Sequence, residues 1–284
     1  MENIWIFLVV IYALLKGGRE CMKKAALKKS AANEILFLYT FIGFLMTLPF
    51  TKSALEIDGI YIFSAFVKAA LCGTAWIFSL LALKQMSVSL YSVLDLGRMI
   101  FSTAFGVILL REDFTLPKLI GVVLVITGLL LVNLKKNSTS AKTNLFAVIA
   151  VLLNCLFNAL SGILDKVIMR SIEPAQLQFW FMFFLSAIYG AALLLRKEKI
   201  SFKTIRTNYW IPLMSVSLIV GDLLIFRANA APQSQVTLMT LIKQSSVIVS
   251  VLSGWLIFKE KNILYKLMCA AIVILGAIIP LIFR

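Results

Sequence analysis

The chain has 284 residues, of which 61% are hydrophobic and 14% charged, with a formal net charge of +15. A soluble domain carries about 25% charged residues, so this composition excludes an ordinary soluble globular protein. The apolar residues fall in runs of about twenty, long enough to cross a hydrocarbon core about 30 Å thick. The positive charge lies mostly in short loops between those runs, where it sets orientation and meets anionic lipid rather than nucleic acid.

The first apolar run covers residues 4–28 and turns polar after Leu15, with Lys16, Arg19 and Glu20 close behind. Lys16 and Glu20 are spaced i, i+4, so the spacing predicts a pair on one helical face. Gly17 and Gly18 between them loosen the helix and bare its backbone. Two readings stay open: a charged, glycine-interrupted binding segment, or a helix that ends near Leu15 and leaves these charges at the interface.

Further helices are predicted over 33–50, 59–83, 87–110 and 116–134. The third carries Lys68, read as snorkelling to an interface. The fourth carries Asp95 and Arg98, one turn apart on one face. A polar linker, Lys135 to Thr143 (KKNSTSAKT), then interrupts the apolar pattern. Beyond it, helices are predicted over 144–169, 175–195, 209–230, 233–258 and 262–283. Asp222 and Arg227 fall in the third of these and Lys243 in the next. The resulting organisation is 1–134, a 135–143 linker and 144–284.

One block occurs twice at a constant offset. GVILLREDFTLPKLIGVVLVITG (106–128) aligns with GWLIFKEKNILYKLMCAAIVILG (254–276), placing Gly106 on Gly254, Glu112 on Glu260 and Gly128 on Gly276. A weaker match sets MKKAAL against LDKVIM, with Lys24 on Lys166. Duplicated apolar units divided by a polar linker mark a transporter built from two halves. Five helices per half is an odd number, so the second half must enter the membrane inverted. The expected fold is an all-α polytopic membrane protein with ten transmembrane helices in a 5+5 inverted repeat.

These segments resemble the drug/metabolite transporter superfamily, in its ten-helix EamA-type branch. The resemblance implies alternating-access secondary transport and a central cavity lined by helices 1, 3, 4, 6, 8 and 9, with helices 5 and 10 peripheral. It also implies cytoplasmic termini. The Lys and Arg distribution among the loops argues the reverse, placing both termini outside. Glu112 and Glu260 look like the family's repeated acid, and read as scaffold that pairs with a nearby lysine or caps the helix that follows.

Ionisable residues within spanning helices are costly unless they face a wet cavity or a partner, so they are the functional candidates. The candidate substrate-binding or coupling residues are Lys16, Arg19, Glu20, Asp95, Arg98, Asp222 and Lys243. At the repeat offset Asp95 falls on Lys243, which puts opposite charges at equivalent places. Asp95 with Arg98 reads either as a neutralising pair or as part of a binding network with Lys243. Asp222 is a candidate for carrying a coupling proton, because an ionised carboxyl away from water is costly. Intramembrane cations outnumber anions, which favours a small anionic or zwitterionic metabolite over a lipophilic cation.

A lipid or lipid-linked sugar flippase and an exporter of cationic drug-like compounds remain alternatives. A membrane enzyme is disfavoured, since the chain has no histidine, no GxSxG and no HExxH. Cys21, Cys72, Cys155 and Cys269 lie in predicted helices without CxxC spacing and read as small buried residues. No cofactor or metal is expected. The expected partners are a small-molecule substrate and membrane lipid, with possible proton coupling, no nucleic acid, and a monomer or homodimer in the cell membrane.

Overall fold

The computed structural model describes residues 4–111, 115–134, 145–197, 203–260 and 262–282. The linker and Glu112 lie outside these residues. Among the described residues every regular element is a helix. We number the long ones α1 (Ile4–Leu27), α2 (Ala32–Thr47), α3 (Gly59–Gln85), α4 (Val88–Leu110) and α5 (Leu116–Leu134). Then follow α6 (Leu145–Ile168), α7 (Pro174–Leu195), α8 (Trp210–Ala230), α9 (Val236–Gln244 and Ser246–Phe258) and α10 (Ile263–Ile282).

Among the described residues, six helices are long and apolar enough to cross a membrane: α2 with its extension to Ala54, α3, α4, α6, α7 and α8. Shorter apolar stretches lie in α5, α9 and α10. In lipid every backbone polar group must be satisfied within the protein, and a helix does this within its own segment.

The packing is reciprocal between halves. α1 lies on α8, and correspondingly α6 lies on α3; α2 packs against α7, and α5 against α10. α4 meets α6 as α9 meets α1. Small residues are buried along both helices, Ala65, Ala69 and Ala75 in α3 and Ala147, Ala150 and Ala159 in α6. Lipid offers no hydrophobic drive between helices, so close backbone approach through small residues supplies the association by dispersion contacts.

Gly17 serves the same end. A Cβ there would lie 2.6 Å from the Ser246 carbonyl and 2.6 Å from Val249 Cβ. The glycine therefore admits α9 against α1, and it does not interrupt the helix. α1 runs unbroken through Lys16, Arg19 and Glu20, all of them buried, so the helix does not stop near Leu15.

α4 and α9 do break. α4 passes through a 3₁₀ turn at Asp95–Gly97, where an aspartate and a glycine weaken the helix. The Cys155 thiol of α6 meets the carbonyl of Asp95 at 3.5 Å at that turn. α9 divides at Ser245, between Gln244 and Ser246. At the repeat offset Gly97 falls on Ser245, so the two breaks are equivalent. Both helices also end alike, on a left-handed residue: Arg111 with φ 55° and Lys259 with φ 51°.

The matched lysines act alike too. Lys24 Nζ donates to the carbonyls of Leu83 and Met86 at the end of α3. Lys166 Nζ donates to those of Asn229 and Ala231 at the end of α8, each at 3.1 Å. Each cation satisfies carbonyls that a helix C-terminus leaves without partners.

Candidate functional site

A polar cavity of ≈ 90 Å³ lies between the halves, inside an otherwise apolar bundle. Two helical stripes supply much of its wall. On α1 these are Tyr12, Lys16, Arg19, Glu20 and Lys23; on α6 they are Asn154, Asn158, Ser161, Gly162 and Asp165. Each stripe follows the spacing that keeps residues on one helical face. The stripes are also equivalent: the offset that sets Lys24 on Lys166 sets Tyr12 on Asn154 and Lys23 on Asp165.

Of the seven sequence candidates, Lys16, Arg19, Glu20, Arg98, Asp222 and Lys243 line this cavity. Asp95 lies directly behind two of them. Its Oδ2 accepts from Lys16 Nζ at 3.0 Å and its Oδ1 from Arg98 at 2.9 Å. Asn154 adds a further donor to Oδ1 at 2.9 Å and another to the Tyr91 hydroxyl at 3.2 Å. The Asp95–Arg98 pair expected on α4 is present, but α1 joins it. Lys16 pairs across to Asp95, and Glu20, the partner its spacing predicts, pairs with Lys23 at 3.0 Å.

A second cluster lies on α1 and α8. Arg19 sits over the Tyr12 ring, 5.5 Å from its centroid, with Asp222 at 4.0 Å. One guanidinium nitrogen of Arg19 and Oδ2 of Asp222 are buried without a hydrogen-bond partner among the described residues. Polar atoms away from water are costly unless bonded, so this loosely joined pair retains capacity for a ligand or water.

The third cluster corrects the sequence reading of Lys68. It does not snorkel: it is 3% exposed, and its Nζ lies 2.6 Å from Asp165 Oδ1. Ser161 Oγ accepts from it at 3.2 Å. The rings of Phe181 and Phe226 enclose the ammonium, 4.2 and 5.1 Å from their centroids, an arrangement that stabilises a cation by the ring quadrupole. Phe181 is thus a cavity residue. Arg227 is exposed, as a snorkelling residue would be.

Asp165 escaped the sequence reading, although the α6 stripe of Asn154, Asn158, Ser161 and Asp165 was visible in it. Tyr39 and Trp76, whose rings meet at a tilt with centroids 5.4 Å apart, carried no signal, because an aromatic in an apolar helix reads as lipid-facing or core.

Glu260 lies away from the cavity. It accepts from the backbone N–H groups of Val88 at 2.8 Å and Ser89 at 3.2 Å, and from the Ser89 hydroxyl. Lys266 pairs with it at 3.2 Å. The lysine partner is as expected, but the helix it caps is α4, in the other half of the chain, and not α10 that follows. An anion at a helix N-terminus answers both the free N–H groups and the dipole.

All four cysteines are free and buried. Among the described residues no group of His, Cys, Asp or Glu is disposed to hold a metal ion.

Long apolar helices around a charged interior cavity define an integral multi-pass membrane protein. The chain belongs to the EamA-like transporter family, which it matches over residues 3–134 and again over 145–282. A crystal structure of another protein aligns with a TM-score of 0.72, over 100% of this chain and 98% of that one, at 12% identity; at that identity the likeness shows the fold alone. No curated protein matches the chain.

Proposed function

We propose that this protein is a secondary transporter, and not an enzyme, that moves a small anionic or zwitterionic metabolite across the cell membrane by alternating access. Its ten helices cross the membrane as a 5+5 inverted repeat, and the cavity between the halves is the substrate site. The observation that carries this reading is the cavity's charge. Six cations line it (Lys16, Arg19, Lys23, Lys68, Arg98 and Lys243) against Glu20, Asp165 and Asp222, with Asp95 immediately behind. A lipophilic cation would meet repulsion there, whereas a carboxylate or phosphate meets charge-assisted donors.

The paired breaks in α4 and α9 support the same placement. Discontinuous helices near the repeat interface free backbone groups and absorb rotation of one half against the other. Asp165 and Asp222, one from each of two cavity helices of different clusters, are the groups through which a proton gradient would drive transport.

Uptake by the purified full chain in liposomes, with and without an imposed pH gradient, tests the reading. Accumulation of labelled anionic or zwitterionic metabolites above empty liposomes is expected, with loss of transport in Lys243→Ala. Transport confined to cationic amphiphiles, or none with any class, refutes it.

A further inference from the structure

The cavity's positive surplus is not spread evenly, and its location narrows the substrate. Three of the cations face one carboxylate each: Lys23 with Glu20, Arg19 with Asp222 and Lys68 with Asp165. These pairs cancel. Of the other three cations, Lys16 on α1 and Arg98 on α4 share one carboxylate, Asp95, and Lys243 lies on α9. Lys243 lines the cavity and has no hydrogen bond or ion pair among the described residues, though it lies within electrostatic range of Arg98, Lys16, Lys68 and Asp165. Among the described residues the surplus therefore amounts to two positive charges, both at the α1–α4–α9 end.

The spacing there already suits a compact anion. Lys16 and Arg98 bind opposite oxygens of the same Asp95 carboxylate at 3.0 and 2.9 Å, so the two donors flank a group a few ångströms across. Asn158 stands one helical turn beyond Asn154 on the same α6 face, and both line the cavity. Tyr12, Tyr39 and Trp76 add aromatic surface to the lining.

Resting on the transporter reading above, we propose that this end of the cavity selects a doubly negative headgroup, borne by a phosphate monoester or a dicarboxylate, with Lys243 as the cation that recognises the second charge. A monoanion or a zwitterion leaves that end with unbalanced positive charge, and a dianion neutralises it. Charge matching in a site of low dielectric discriminates strongly between the two.

The test is thermal stabilisation of the detergent-purified full chain at fixed ionic strength and pH 8, followed by uptake into liposomes. The probes are phenyl phosphate and glycerol 3-phosphate as monoesters, succinate as a dicarboxylate, benzoate and acetate as monoanions, and alanine as a zwitterion. The dianions are expected to bind at least about tenfold tighter than the monoanions. Monoester without succinate binding assigns the site to phosphate, and the reverse assigns it to dicarboxylates.

In Lys243→Gln the preference for dianion over monoanion should shrink about tenfold, with the preference restored by Lys243→Arg and unchanged by Arg227→Gln. Equal or tighter binding of the monoanions or of alanine to the wild-type chain overturns the inference. So does the absence of binding by any dianion, even if the chain transports another class. Dianion binding without uptake supports the inference and refutes the transporter reading. The wild-type panel decides the matter even where a variant fails to fold.

Discussion

Removing either partner of the Lys68–Asp165 pair should be costly, and removing both should be much less so. The two charges lie 2.6 Å apart with side chains 3% and 12% exposed. At an effective dielectric of about 20 their gross attraction is about 6 kcal/mol, an upper bound that desolvation largely offsets. What a single substitution exposes is the other term, a charge left buried without its partner, worth about 3–5 kcal/mol. The cavity admits water, so the lower end applies. Lys68→Met or Asp165→Asn should each cost about 3 kcal/mol and lower Tm by roughly 6–12 °C, taking about 2–4 °C per kcal/mol.

Lys68→Met also keeps an apolar side chain between Phe181 and Phe226, so the packing of those rings is retained. The double variant replaces the pair by two neutral groups and strands neither charge. It should recover about 2–3 kcal/mol relative to the sum of the single losses. The assay is thermal and denaturant unfolding of all four proteins in one detergent. Losses that add to within about 0.5 kcal/mol would show that the two residues do not act as a pair, and would refute the reasoning.

Three further outcomes follow from the packing. Glu260→Gln removes the charge that caps α4 and should cost about 1 kcal/mol; hydrogen exchange at Val88 and Ser89 should quicken, while exchange in α7 stays unchanged. Gly17→Ala forces a methyl to within 2.6 Å of the Ser246 carbonyl and should cost about 1–3 kcal/mol by overpacking, whereas Gly162→Ala, with nothing within 4 Å of the added Cβ, should unfold within about 0.5 kcal/mol of wild type. Lys166→Met leaves the α8 carbonyls of Asn229 and Ala231 without their donor and should cost about 1–3 kcal/mol, read as a lower Tm; an unchanged Tm would exclude a capping role.

The site was legible in part, and the division has a cause. Charge in an apolar helix is visible in one dimension because lipid tolerates so little of it. That is why the cavity residues Lys16, Arg19, Glu20, Arg98, Asp222 and Lys243 stand out in the sequence. The Asp95–Arg98 pair was legible, because both residues lie on one helix; the partners on other helices were not. The spacing of Lys16 and Glu20 predicts a pair along one helix, yet Lys16 reaches Asp95 across to α4. Lys68 looked like a residue that could reach an interface, but a neighbouring helix supplies Asp165 at close range. Sequence spacing ranks partners within a helix and is silent about partners between helices. Asp165 shows the complementary failure: its stripe on α6 was present, but one acid beside Lys166 near a helix end draws little notice.

The amino-acid sequence by itself determined that the chain lives in a membrane, that it carries two related halves, and which residues are too polar for lipid. Those properties follow from composition, periodicity and a constant offset, which need no knowledge of neighbours. Only the tertiary structure decided that Gly17 admits α9 rather than loosening α1, and that Glu260 caps a helix in the opposite half. It alone decided that three ion pairs cancel while Lys16 and Arg98 share one carboxylate. The reason is that charge balance in a medium of low dielectric is a matter of a few ångströms, and those distances are set by how the halves pack.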